Sequence, residues 1–451
     1  MRYFKSGVGF LTIKIRPRLL NFRKYINTDV TSLTEPTERT FSDMDANRNL
    51  SRWKWLCYLQ SLFALETFIA PVLVIFYTQY AGFSFSQYAV LMSYIFLLSW
   101  AFQLPTGALA DKYGKKRALI FGNVIYVLAM LSLVVLGSRM PIFATAALFS
   151  LGGALSTGAF QAMMFSAFAA AGQEHEFNVV NARGNSLALF GGAVGAALGG
   201  LLANVSLALP MIVDIVVLSL TTIVLSIAIK SMPEKRTVRP VSLNLIALDA
   251  LRAAFGSRRL LASILVSAIA FAGVRTGFNL YQPLLASSGL DLSQLGVVFG
   301  GFSLFSAAVA YAYSRLRSRI FDGPAIVALM AISFIASAGL ATLTTTVGII
   351  CAILCQQVIR AVYPSVSAYI INMNIAAESN SRTTILSLAA LLRSLTAAVF
   401  SYGIALAANR IPDNFIFGML SLISAALILL LGLWSFYAAQ PKKAARASAG
   451  G

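Results

Sequence analysis

"GALADKYGKK", residues 107–116, is a short polar segment between two long apolar runs. It holds one aspartate, three lysines and two glycines, in a chain that is 58% hydrophobic and only 11% charged. Soluble domains carry about 45–50% apolar and about 25% charged residues, so the composition excludes an ordinary water-soluble globule. A compact polar segment between apolar runs is typical of a loop that joins two membrane-spanning helices.

Twelve apolar segments are long enough to cross the hydrocarbon core of a bilayer, which is about 30 Å thick and needs about 20 helical residues. Lipid offers no partners for backbone N–H and C=O groups, and the segments lack the alternation of barrel strands, so we predict helices. The predicted fold class is an all-α polytopic membrane protein. The spans lie at about 55–79, 86–109, 116–136, 142–171, 184–204, 207–229, 260–285, 292–314, 324–345, 348–372, 384–407 and 413–437.

The basic residues are distributed asymmetrically about these spans. An even number of spans puts both termini on one side of the membrane, and most of the 35 Lys and Arg residues fall on that side. This bias is the positive-inside signature, so we predict that both termini are cytoplasmic. The net charge of +19 therefore reflects topology, and no nucleic-acid-binding module accompanies it.

The hydrophilic intervals predict the domain organisation. Residues 1–54 are expected to form a disordered, basic cytoplasmic tail, although a transit sequence or a start at Met44 fits the same composition. Residues 230–259 form the only long internal hydrophilic interval, with a period that suits a helix lying at the membrane interface. We therefore predict a six-helix bundle over 55–229, the cytoplasmic linker over 230–259, a second bundle over 260–437 and a cytoplasmic tail over 438–451.

The two predicted bundles contain an internal repeat. "GFSFSQ" at 82–87 follows the first span, and "GLDLSQ" at 289–294 follows the seventh, 207 residues later. Many secondary transporters are built from such repeats, with the substrate site near the membrane midplane between them.

The decapeptide resembles the hallmark of the major facilitator superfamily, whose pattern is filled at Gly107, Asp111, Lys112, Gly114, Lys115 and Lys116. The resemblance covers about residues 52–440 and implies twelve helices in two pseudo-symmetric bundles. It also implies that this segment is a conformational latch, in which Asp111 meets the start of the eleventh span with Arg382 as counter-charge. The alternative is that the basic residues only satisfy the positive-inside rule.

A run of glycines marks the fifth span. Its spacing resembles the antiporter motif of the same family, except that Ala196 stands where that motif has proline. The alternative is close packing of small residues between helices, with Gly296 and Gly300 as the mating surface. The predicted packing residues are Gly191, Gly195, Gly199 and Gly200.

Five ionisable residues fall inside the predicted spans, where a charge costs about 2.5–3.5 kcal/mol. Glu66, at the centre of the first span, is the candidate for proton coupling, and an ion pair with Arg275 is the alternative. Three arginines outnumber the two acids, which favours a substrate with a carboxylate or other anionic group if the arginines face the cavity. The alternative is that they pair with carbonyl groups or acids between helices. The substrate-binding candidates are Arg275, Arg360, Arg393 and Asp214.

These features together predict a secondary active transporter that works by alternating access. We expect proton-coupled efflux of a small organic molecule, such as a drug, a secondary metabolite or a siderophore-like anion. Import of an organic anion or nutrient, and a receptor that does not transport, are the alternatives. No catalytic motif or nucleotide-binding loop is present, so we expect no enzyme activity, no cofactor and no metal. We expect a monomer in a bacterial inner membrane, whose partners are the substrate, protons and lipid.

Overall fold

The structure is a computed structural model that describes residues 51–63, 67–170, 172–229, 258–316, 322–374, 382–408, 416–419, 422, 423 and 426. All of them belong to one compact unit. Glu66, most of the predicted N-terminal tail, the linker up to residue 257 and the C-terminal tail lie outside the described residues.

The described part of the chain contains helices and turns but no strand. A first helix, α1, covers 51–62. Ten long helices follow: α2 Phe85–Tyr113, α3 Lys115–Leu136, α4 Ile142–Ala170, α5 Glu174–Val205, α6 Leu209–Ala228, α7 Arg258–Ser287, α8 Leu292–Leu316, α9 Asp322–Thr342, α10 Thr346–Asn374 and α11 Arg382–Ala407. Among the described residues, nine helices are long and apolar enough to span a membrane, namely α2 to α8, α10 and α11. The predicted all-α polytopic fold is confirmed.

Three of the twelve predicted spans are not among these nine. The first is interrupted, and the apolar part of α9 is shortened to Ala331–Thr342. Of the twelfth, the structure describes only 416–419, 422, 423 and 426.

The first span is broken rather than continuous over 55–79. After α1, the chain passes through bends at 67–69 into a 3-10 turn, Ala70–Val72. A single helical turn, Leu73–Ile75, and a π turn, Phe76–Tyr80, complete it. Pro71 contributes to the break because proline lacks the N–H that a helix needs in its interior.

The bundle has two distinct ends. One end, which we call the basic end, carries the lysines and the arginine of residues 112–117. Here α2 joins α3 through Gly114, whose φ of 99° is accessible to glycine and strained for other residues. The loop from α4 to α5 lies at the same end. The opposite end carries the connections from α5 to α6 and from α7 to α8.

The internal repeat appears as a matched pair of helix starts. Ser84 and Gln87 form a reciprocal capping box at the start of α2. At the start of α8, Asp291 and Gln294 make the same two hydrogen bonds. Each box satisfies backbone N–H groups that the first turn of a helix would leave without partners.

The hydrophobic core continues across the boundary between the two halves of the chain. Ile75, Ala89 and Ala196 of the first half pack in one cluster with Leu280 and Phe299 of the second. The halves are therefore in direct contact in this conformation.

Candidate functional site

The halves meet mainly along two helix pairs at the end of the bundle opposite the basic end. In the α5–α8 pair, the backbones approach closely. A Cβ atom at Gly200 would lie 2.5 Å from the Leu292 carbonyl oxygen, and one at Gly296 would lie 2.7 Å from the Ala196 carbonyl oxygen. Any side chain at these positions would force the two helices apart.

In the α2–α11 pair, serine hydroxyls bridge the halves. Ser86 donates to the Ala405 carbonyl at 2.7 Å, and Ser93 donates to the Ala398 carbonyl at 2.8 Å. Both bonds lie in the first third of α2, so they close the same end of the bundle as the glycine contacts.

The predicted latch residues surround an exposed hairpin at the basic end. Asp111 and Lys112 are exposed, and a Cβ atom at Gly107 would have no neighbour within 4 Å. Lys115 donates to Ser166 Oγ at 2.7 Å, which ties the hairpin to α4 of its own half. Within the described part of the chain, Asp111 makes no hydrogen bond or ion pair.

Two further latch residues were predicted, Lys116 and Arg382. Lys116 is half-buried at the start of α3. Arg382 is the first residue of α11, and its side chain lies outside what the structure describes. The position of the counter-charge relative to Asp111 therefore remains a prediction.

The four predicted packing glycines face two different partners. Gly191, Gly195 and Gly199 face the first span of their own half. A Cβ atom at Gly191 would lie 2.5 Å from the Leu62 carbonyl oxygen. Gly200 alone of the four faces α8.

Asp214, a predicted substrate ligand, binds the break in the first span. Its carboxylate is 4% exposed and accepts hydrogen bonds from the backbone N–H groups of Thr67, Phe68 and Ile69, at 2.9 to 3.1 Å. In lipid, unsatisfied N–H groups are costly, so this carboxylate stabilises a non-helical backbone inside the membrane.

The other candidates lie on α7, α10 and α11 of the second half. Arg275 and Arg360, which we call the arginine pair, are half-buried and share one aromatic ring. The guanidinium carbons lie 5.8 Å and 5.1 Å, respectively, from the ring centroid of Phe278. Arg275 also lies 5.8 Å from the centroid of Phe96, on α2 of the other half. These distances allow cation–π attraction.

The arginine pair lies about one to two helical turns further into the bundle than the contacts that close the end opposite the basic end. Phe96 is less than one helical turn after Ser93. Arg275 is about two turns before Gln282, whose side chain accepts a hydrogen bond from the Val74 N–H of the first span. Arg360 donates to Gln357 Oε1 at 3.3 Å, and Ser306 of α8 donates to the same oxygen at 3.1 Å. The one ion pair found among the described residues joins Lys54 to Glu176, so neither arginine has a carboxylate partner there.

Arg393 belongs to a separate cluster between α7, α10 and α11. It interacts with the Tyr363 side chain. Tyr363 also bonds the hydroxyl and the carbonyl of Ser267, and Ser267 bonds Ser367 at 2.5 Å. The structure thus brings two of the predicted arginines together and places the third with a tyrosine and two serines.

The sequence analysis missed the aromatic and amide partners of the pair. Phe278 follows Arg275 by three residues, a spacing that puts both on one face of α7, so it could have been found. Phe96 lies on a different helix, and no local pattern connects it to Arg275.

A comparison with protein families identifies the architecture. The model of the Major Facilitator Superfamily matches residues 55–401, most of the chain. The chain belongs to the Major Facilitator Superfamily. It is a multi-pass membrane transporter, which confirms the resemblance of residues 107–116 to the superfamily hallmark.

Solved structures of the superfamily share this fold at low sequence identity. A mutant of the nucleoside transporter NupG superposes with a TM-score of 0.71 and 12% identity, covering 85% of this chain and 99% of its own. A D-xylose-proton symporter superposes with a TM-score of 0.64 and 14% identity, covering 84% and 96%. No curated protein sequence matches the chain.

Proposed function

We propose that this chain is a secondary transporter that carries a small organic anion by alternating access, with the arginine pair as its binding site. The observation that supports this is that Arg275 and Arg360 converge on one ring with no carboxylate partner among the described residues. Arginine stays charged when it is removed from water. Two such groups form a site for a carboxylate or phosphate, which guanidinium binds through paired hydrogen bonds.

The aromatic neighbours support an organic anion rather than a bare inorganic one. Phe96 and Phe278 provide apolar walls beside the two charges. Ligand sites commonly combine apolar walls with a few charged or polar groups in this way. Because Phe96 and Arg275 come from different halves, movement of the halves would change the shape of the site.

The distribution of contacts between the halves supports alternating access. The α5–α8 and α2–α11 pairs, which we call the two seams, close one end, and the hairpin with Asp111 is exposed at the other. With the basic end in the cytoplasm, this is the inward-facing state. In the outward-facing state, Asp111 and its hairpin would bind the start of α11 near Arg382, which is the proposed latch.

Proton coupling is assigned to Glu66 in this proposal. A desolvated carboxyl group favours its neutral form and releases its proton when its surroundings become aqueous. The structural likeness to a D-xylose-proton symporter is consistent with such coupling in this fold. Glu66→Gln should retain substrate binding and facilitated movement but lose accumulation against a gradient.

The direction of transport separates two candidates. Export is favoured by the glycine spacing of α5, although three of those glycines pack against the first span of the same half. Import with protons is favoured by the likeness to the symporter. Flux measured in both directions under an imposed pH gradient decides between them.

The test is transport by purified protein in proteoliposomes with a panel of small aromatic and aliphatic carboxylates and phosphates. Neutral nucleosides and D-xylose serve as comparison solutes. A charged hydrogen bond contributes about 1.5–3 kcal/mol, so Arg360→Gln and Arg275→Gln should each raise the KM for the anion by about tenfold to a hundredfold. Arg360→Lys should recover part of the loss, since it restores charge without the paired donors.

Arg139→Gln, in the turn between α3 and α4, is the matched control and should leave KM unchanged. The proposal fails if uncharged solutes are the only ones moved, or if the Arg275 and Arg360 variants transport the anion with the KM of the original protein.

A further inference from the structure

A side chain from α7 interrupts the backbone hydrogen bonding of the first span. In an α-helix, the Val74 N–H would donate to the Ala70 carbonyl four residues earlier. Here the Val74 N–H donates to Gln282 Oε1 at 2.7 Å, and Gln282 Nε2 donates to the Ala70 carbonyl at 2.7 Å. The amide of Gln282 thus replaces one backbone bond by two bonds through its side chain, a recognised cause of a helix kink.

This contact crosses the boundary between the halves. Gln282 lies in the second half and is 1% exposed, while Ala70 and Val74 lie in the first. Ser86 and Ser93 also cross the boundary, but their hydroxyls only add a bond to carbonyls of α11. Gln282 instead substitutes for a bond that the first span could make by itself.

The broken segment is held from two sides. Asp214, on α6 of the same half, binds the N–H groups of residues 67–69. Gln282 binds the next turn from the opposite half. If the halves separate at this end, Asp214 moves with the first span and Gln282 does not. Separation therefore frees the Ala70 carbonyl and the Val74 N–H at the same time.

These two freed groups have a partner in each other. The first span can form the Val74 to Ala70 backbone bond once the amide has left, so neither group stays unsatisfied in the membrane. One backbone bond plus a hydrated amide then replaces two bonds, and the net free energy of such exchanges is small. A transporter needs such a balance, because both of its states must be populated.

We infer that Gln282 is a positioning residue for transport: its amide keeps the Ala70 carbonyl and the Val74 N–H apart while this end is closed, and its withdrawal lets this one turn of the first span form its own backbone bond when the end opens. This inference rests on the alternating-access part of the proposed function. It does not depend on which substrate is carried.

The test measures distances between spin labels in nanodiscs, in a background where Cys57, Cys351 and Cys355 are replaced by alanine. One label pair, Val205→Cys with Val347→Cys, reports on the closed end, where both residues are exposed. A second pair, Tyr113→Cys with Arg315→Cys, reports on the basic end.

Gln282→Leu removes both bonds across the boundary. We expect it to raise the ratio of open to closed forms at the Val205 and Val347 end by about five- to thirtyfold, since two hydrogen bonds are lost. In flux assays, kcat should fall while KM changes little, because the arginine pair is untouched. Distance distributions that superpose on those of the original protein would overturn the inference.

Gln282→Glu gives a second readout that a role in packing alone would not produce. A protonated glutamic acid accepts from the Val74 N–H and donates to the Ala70 carbonyl, whereas its carboxylate can only accept. Lowering the pH should return the Glu variant to the distribution of the original protein. A Glu variant whose distances differ from those of the original protein at every pH, including low pH, would contradict the inference, even if the Leu variant did not fold.

Gln356→Leu is the matched control. Gln356 is a buried glutamine of α10 whose amide donates to Ser337 Oγ at 2.9 Å, within the second half. This variant should leave both distance distributions unchanged. Because no substrate is present in the distance measurements, a failure to transport anions would refute the proposed function without affecting the test by spin labels.

Discussion

The two seams that join the halves occupy related positions but use opposite chemistry. The repeat offset of 207 residues relates Ser93 of α2 to Gly300 of α8. Ser93 donates a hydrogen bond to α11, whereas a Cβ atom at Gly300 would lie 2.8 Å from the Ala193 carbonyl oxygen of α5. At this position the α2–α11 seam has a hydroxyl group that donates a hydrogen bond, whereas the α5–α8 seam has no side chain.

The comparison indicates how the halves associate where lipid gives no hydrophobic driving force between helices. Small residues allow close van der Waals contact, and hydroxyl groups supply hydrogen bonds. The α2–α11 seam also borders a small cavity, lined in part by Thr276, Asn279 and Ser401. The α5–α8 seam is therefore the tighter of the two, and it should be the less tolerant of substitution.

The largest effect is expected at Gly200 in the α5–α8 seam. Gly200→Leu places side-chain atoms where Leu292 and Gly296 already lie, and overpacking of this kind costs about 1–3 kcal/mol or more. The ratio of open to closed forms at this end should rise by about tenfold to a hundredfold, measured with the Val205 and Val347 label pair. Gly192→Leu is the control, since its Cβ atom would meet nothing within 4 Å. Equal effects of the two variants would show that the seam is not tight.

A smaller effect is expected at Ser93 in the α2–α11 seam. Ser93→Ala removes one hydrogen bond, worth about 0.5–1.5 kcal/mol. The Ala398 carbonyl group keeps its place in the backbone hydrogen bonding of α11. The same label pair should report a shift of about two- to tenfold. Ser132→Ala is the control: it removes a hydroxyl that bonds within α3 and should cause no shift in the distances. A shift at Ser93 larger than that at Gly200 would reverse the ranking of the seams.

The smallest effect concerns the matched helix starts. Hydrogen bonds from the Ser293 hydroxyl and the Gln294 N–H lower the pKa of Asp291. A lowered pKa contributes stability that is fully present above the unfolded value, about 3.9, and is lost as the pH falls through the folded value. Ser84, the equivalent residue in the first half, does not titrate.

Melting temperatures of the original protein and of Asp291→Asn should therefore converge as the pH falls below about 4. Ser84→Ala should lower stability by about 1 kcal/mol at every pH, since it removes a capping hydroxyl. Parallel pH curves for the original protein and Asp291→Asn would contradict the assignment of the carboxylate as the cap.

The sequence predicted those features whose physical cause is local. Apolar length located the nine described spans, and the spacing of Gly82, Gln87, Gly289 and Gln294 predicted the repeat. The glycines of α5 indicated close packing, but not that three of them face the first span. Which helix a glycine face meets depends on tertiary packing and leaves no mark in the local pattern.

The candidate site was predictable only in part. Arg275 and Arg360 were found because a charge inside a membrane is rare. The break in the first span was signalled only by Pro71. Its other causes, Asp214 and Gln282, lie 145 or more residues away along the chain. Long-range hydrogen bonds of this kind cannot be read from hydropathy or spacing.

The Asp214 contact also constrains how the protein is assembled. The first span leaves the ribosome well before Asp214 is synthesised, and until then three of its backbone N–H groups lack their acceptor. Asp214 in turn carries its charge into the bilayer on a span that has no other acid or base. Integration of the first and sixth spans is therefore interdependent, and loss of the carboxylate should impair biogenesis before it impairs transport.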